Sequence, residues 1–187
     1  MTEDEEDCYL HSSDESFFAQ RKFDAEQRIQ ASERNTKIAA RYQVATREEM
    51  QRITPLWSHE PSKLHHNFEN GFEGFFPNGY LLLEADLDEI LTRLHSDYSV
   101  DPEILFPEKR ERLTIAQVIH EWESKKALTP PLMWHLNGTI AVSAGNHRLA
   151  SASYLGTERI PFYIRSEDES FFLAIESVEE LDRGTWP

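Results

Sequence analysis

The chain has one cysteine, Cys8, among its 187 residues. A single thiol cannot build a disulfide framework. There is no apolar run near the ~18 residues that a membrane span needs, and no leader-type apolar segment. A cytoplasmic location, with no membrane partner, is the expectation. Walker-type loops, Gly-x-Gly-x-x-Gly, Gly-x-Ser-x-Gly and His-Glu-x-x-His are all missing, so none of these common catalytic signatures applies. Glycine and proline are absent from Phe17 to Ile53, so nothing in that stretch punctuates a helix. Positive charge is scarce. Nineteen Lys and Arg stand against 34 Asp and Glu, for a net charge of −15. Such a chain repels nucleic acid overall.

What charge there is lies unevenly. Met1 to Ser16 holds seven acids and no Lys or Arg, and reads as a solvated, mobile acidic tail (residues 1–16). Phe17 to Arg52 holds eight basic residues against five acids. Residues 17–53 are rich in Ala, Gln, Glu and Arg, and predict a helical extension. Its apolar stripe (Phe18, Ala25, Ile29, Ile38, Tyr42, Ala45) is thin. One long helix fits, as do two with a break near Ser32 to Thr36, and Thr54-Pro55 ends the segment. A weakly apolar helix of this kind packs loosely on the domain or receives a protein partner.

Residues 54–78 form an aromatic, turn-rich loop with Trp57, Phe68, Phe72, Phe75 and Phe76. Residues 79–187 read as one α+β domain. Tyr80 to Glu84 is a buried strand. Asp86 caps a helix from Leu87 to His95, and Thr114 caps another from Ile115 to Lys126. Asn137-Gly138 is a strong signal for a two-residue hairpin turn. Phe171 to Leu181 closes the chain as strand or helix.

The most informative stretch runs from Pro130 to Arg165 as strand, turn, strand, glycine turn, helix, strand. At its centre stands Gly145-Asn146-His147-Arg148. The first N–H groups of a helix have no intrahelical partner and carry partial positive charge, so a phosphate or carboxylate fits there. Gly145 lets the backbone approach, and His147 and Arg148 add donors. The bland alternative is a tight turn in which Arg148 pairs with a carboxylate and His147 caps the helix.

These parts resemble the ParB/sulfiredoxin superfamily. The matching features are Pro130-Pro131, the two strands around Asn137-Gly138, the Gly-x-His-Arg turn at Gly145 to Arg148, a small-residue helix, Leu155-Gly156 and Ile160-Pro161. The resemblance covers roughly residues 79–166. It implies a small mixed sheet with packed helices, here preceded by the helical extension, and nucleotide phosphates held at the turn. Sulfiredoxins carry a reactive Cys where this chain has Asn146, which excludes their chemistry. ParB clamps add a DNA-reading helix-turn-helix, and many members carry an Asp where this chain has Ala144.

Two functions from different classes follow. In the first, a nucleoside triphosphate with Mg²⁺ binds through Ser143, Gly145, Asn146, His147 and Arg148. Glu84, or Asp86 beside it, would then be the general base for a phosphotransferase or NTPase. The bland alternative for Glu84 is a surface acid. Arg159 either reaches a second phosphate or sits in solvent. In the second, the domain is a non-catalytic scaffold. The acidic tail and residues 17–53 then bind a basic protein such as a nuclease. Ser151 and Ser153 read as packing residues, Trp122 as core, and Trp134 as core or a base shelf. His59, His65, His66 and His120 show no zinc spacing, so no metal site is assigned.

Overall fold

The computed structural model describes residues 3–61, 76–106 and 112–185. A single helix, α1 (Glu3–Val44), opens the chain. It starts inside the stretch expected to be a mobile tail, and it passes unbroken through Ser32 to Thr36. Thr36 Oγ1 donates to the Ser32 carbonyl at 2.8 Å. Its hydroxyl is satisfied inside the helix and no longer favours a break. Among the described residues, α1 packs on the body through buried Ala39 and Tyr42 and partly buried Ile38. The chain then turns. Thr46 and Glu49 cap each other reciprocally and start a short second helix, α2 (Arg47–Met50).

The domain follows as β1 (Tyr80–Asp86), α3 (Leu87–Thr92), α4 (Arg112–Glu123), β2 (Leu132–Leu136), β3 (Thr139–Ala144), α5 (Asn146–Tyr154), β4 (Arg159–Arg165), α6 (Glu169–Phe172) and β5 (Glu179–Gly184). The five strands form one mixed sheet in the order β3-β2-β4-β1-β5. β1 runs antiparallel to both β4 and β5, and β2 runs antiparallel to β3 and parallel to β4. The fold is therefore α+β with an N-terminal helix, as the sequence predicts. Two expected helix caps differ. Asp86 stands at the N-cap of α3 but makes no side-chain cap bond, because Arg159 takes its carboxylate. Thr114 lies within α4, which is already helical at Arg112.

The Asn137-Gly138 turn is confirmed. Both residues are left-handed, at φ 51° and 83°, and Leu136 pairs with Thr139 across them. Such a turn matches the twist of the strands it joins.

Alternate residues of the strands point to opposite faces. One face presents Leu81, Leu83, Ala85, Met133, Ile140, Phe162 and Ile164 to α1, α2, α4 and α5. Trp122, fully buried, anchors α4 there. The other face carries a smaller cluster of Phe76, Tyr80, Leu82, Leu132 and Tyr163, with Ala144 packed on it.

Residues 54–61 strap one face to the other. Trp122 Nε1 donates to the Leu56 carbonyl at 3.0 Å, Leu56 and Ser58 exchange backbone bonds with Leu128, and Tyr163 Oη donates to the His59 carbonyl at 2.9 Å. The rest of the expected aromatic loop, including His65, His66, Phe68 and Phe72, lies outside the described residues. Among the described residues, no helix is long and apolar enough to cross a membrane.

Both sheet edges are closed. β5 is almost wholly exposed and carries Glu179, Glu180, Asp182 and Arg183. Along β3, Ile140 N–H donates to the Arg93 carbonyl and His95 N–H to the Ile140 carbonyl, both at 2.8 Å.

Candidate functional site

The glycine turn forms where β3 runs into α5. Gly145 is the N-cap, at φ 91° and ψ 15°. Only glycine takes that conformation without strain. The space is closed as well. A Cβ there would stand 2.8 Å from Pro131 Cα and 3.1 Å from Pro131 Cβ. The two prolines that precede β2 are buried beneath the turn and hold it against the sheet. Gly145 has no side chain with which to cap the helix, and no side-chain cap hydrogen bond is made there.

Arg148, on that same first turn, folds back over the N-cap. Its Nη2 would lie 3.2 Å from a Cβ on Gly145. Its Nη1 donates to both the carbonyl and the hydroxyl of Thr129. No carboxylate pairs with it among the described residues, so the bland expectation of an ion pair is not met. Burial alone pulls the guanidinium pKa down to about 10. A half-buried cation thus sits at the positive end of a helix with two neutral acceptors and, among the described residues, no counter-charge.

Asn146 opens α5, and its Oδ1 is buried without a hydrogen-bond partner among the described residues. Turning the amide over places its NH₂ in the same buried space, as a donor on the first turn of α5. His147 is half-buried, and its carbonyl accepts from Ser151 Oγ at 2.7 Å. Ser143 is exposed on β3, two residues before the N-cap. The turn therefore gathers Gly145, Asn146, His147 and Arg148, with Ser143 at its rim.

Glu84 is not part of this cluster. It lies on β1, separated from β3 by β2 and β4. Three strand spacings amount to roughly 14 Å. Its Oε2 accepts from Arg159 Nε at 3.0 Å. Arg159 also reaches Asp86 at 2.9 Å, Glu179 at 3.5 Å and the Ser177 carbonyl at 3.3 Å. Both readings of Arg159 are corrected by this geometry. It neither points at the turn nor sits free in solvent, but ties three acids of β1 and β5 to β4.

Ser151 and Ser153 are buried in α5 and serve packing. Trp122 is core, edge-on to Trp57 at 5.2 Å. Trp134 is half-buried with the Arg165 guanidinium over its ring at 5.3 Å. Among the described residues no three His, Cys, Asp or Glu side chains gather as a metal set. Thr129 escaped sequence reading. It stands 19 residues before Arg148, and only the fold brings the two together.

A concavity of ≈ 400 Å³ lies between α1, α2 and α4, lined by Arg41, Tyr42, Ala45, Met50, Ile53 and Glu123 among others. Its polar groups are engaged with one another. Glu123 accepts from Arg41 at 2.6 Å and from Tyr42 Oη at 2.8 Å. The glycine turn remains the better candidate. No protein-family model, no curated protein and no solved structure matches the chain.

Proposed function

We propose that this protein binds a phosphorylated ligand of the nucleoside triphosphate class, with phosphate oxygens at the Gly145 to Arg148 turn. The observation that carries this reading is Arg148. A cation at a helix N-terminus is opposed by the helix dipole. Partial burial without a counter-charge among the described residues adds a desolvation cost. A bound oxyanion removes both penalties at once, since it would meet the guanidinium at the positive end of the helix. The resemblance to ParB/sulfiredoxin-like chains supports phosphate as that anion.

The described residues at the turn do not fit a protein-held Mg²⁺. Ala144 stands where an acid would be needed, and the nearest sequence candidate, Glu84, is held by Arg159. No step is therefore assigned to a metal. Glu84 is likewise engaged rather than poised as a base, so binding is the better supported function than phosphoryl transfer.

The test is calorimetry with ATP, CTP, GTP and ADP, each with Mg²⁺, on wild type, Arg148→Ala and Arg148→Lys. Micromolar binding should vanish in the alanine variant and persist in part in the lysine variant, which keeps the charge but not the fork of donors. Equal binding by wild type and Arg148→Ala, or no binding of any nucleotide, would overturn the reading. A second reading, a protein-interaction module, is favoured by the exposed length of α1.

A further inference from the structure

Among the described side chains of α1, the buried and half-buried ones lie from Asn35 onward. Every side chain described between Arg21 and Arg34 is exposed. Phe23 and Ile29 are 55% and 59% exposed and can be covered by a partner. Residues 3–34 of this helix span roughly 48 Å at 1.5 Å per residue. Helices in proteins draw most of their stability from packing, and a helix polar on nearly all sides needs another source.

The charge along α1 indicates what that source is. Its first part carries all seven acids of Met1 to Ser16 and no Lys or Arg. From Arg21 to Arg41 it carries six basic residues and three acids. Two copies laid parallel would set acid against acid. Two copies laid antiparallel set the acidic part of each against the basic part of the other. That arrangement is two-fold symmetric and self-complementary, as a closed dimer requires. We propose that the protein dimerises through α1, with two copies of the helix paired antiparallel. The proposal does not depend on what the glycine turn binds.

Charge reversal of the full-length protein tests it. One variant replaces Glu3, Glu5 and Glu6 with Lys. The other replaces Lys22, Arg34 and Lys37 with Glu. Sedimentation velocity should show wild type as a dimer at low salt, with dissociation favoured in 0.5 M salt as the charges are screened. Each variant alone should be a monomer. Their mixture should restore a dimer, because one contact is then the native pairing and the other is the same pairing with its signs exchanged. That recovery also shows that both variants are folded. Wild type that is monomeric at ~200 μM in low salt would overturn the proposal, as would variants that dimerise alone or a mixture that stays monomeric.

Cys8, the only thiol, reads the direction. Spin labels there should lie roughly 35 Å apart in the antiparallel pair, from the 1.5 Å rise. Labels in close contact, or ready disulfide cross-linking between copies, would show a parallel pair and refute the arrangement.

Discussion

Gly145→Ala should be among the more damaging single-methyl additions in this chain, and Gly138→Ala is its internal control. Both glycines are left-handed, at φ 91° and 83°. Forcing alanine into that region costs about 1–2 kcal/mol at either site. The surroundings differ. A Cβ at Gly138 meets nothing within 4 Å, whereas at Gly145 it meets Pro131 Cα at 2.8 Å. That neighbour is backbone in a buried Pro-Pro step, so it cannot swing away. Overlap of this kind adds about 1–3 kcal/mol. Gly138→Ala should therefore lose about 1–2 kcal/mol, and Gly145→Ala about 2–5 kcal/mol. Urea unfolding followed by tryptophan fluorescence measures both, provided the slopes of the two transitions agree. Equal losses at the two sites would refute the claim that Pro131 closes the turn from below. Because the same Cβ would press on Arg148 Nη2, the folded Gly145→Ala protein should also bind nucleotide more weakly than Gly138→Ala.

Acid should destabilise the protein through carboxylates held below their usual range. Glu89 is one, lowered by its hydrogen bonds from Ser177 and Arg93. A depressed carboxyl stabilises the fold above its unfolded pKa of about 4.3 and loses that effect as pH falls through its lower folded value. Tm should therefore drop below about pH 4.5, and Glu89→Gln should flatten that drop; an unchanged profile would exclude Glu89 as a contributor. Trp122→Phe keeps a ring in the core but removes one of the two hydrogen bonds to the Leu56 carbonyl, leaving that from Leu128 N–H, at a cost of about 0.5–1.5 kcal/mol. Amide exchange at Ser58 should quicken in that variant more than at Tyr163, whose N–H bonds Pro131 across the sheet.

Local chemistry was legible where neighbouring residues settle the structure. Asn137-Gly138 specifies its own turn, and Gly145 marks its own strand-to-helix junction. The run Tyr80 to Leu83 is apolar throughout because β1 is covered on both faces. Thr46 and Glu49 also carried a readable signature, a capping box three residues apart, which shows why the extension does not run as one helix to Ile53.

Features set by distant partners were not legible. β5 has the composition of a loop, Glu-Glu-Leu-Asp-Arg-Gly, and becomes a strand because β1 offers it a free edge. Thr129 gains meaning only through Arg148, and Arg159 only through acids that lie 73 and 75 residues away. The expected cap at Asp86 failed for the same reason, since a long-range ion pair outcompeted the local bond.

The closed margins of the sheet limit how this protein can meet other chains. An arriving strand finds Arg93 to His95 already seated along part of β3. At the other margin it finds a row of charged side chains on β5, which resists pairing by an apolar segment. Growth by strand addition, the usual route from a small mixed sheet to a fibre, is disfavoured in both directions. Even at the high local concentrations of a cell or a purification column, the folded domain should stay dispersed rather than polymerise through its sheet.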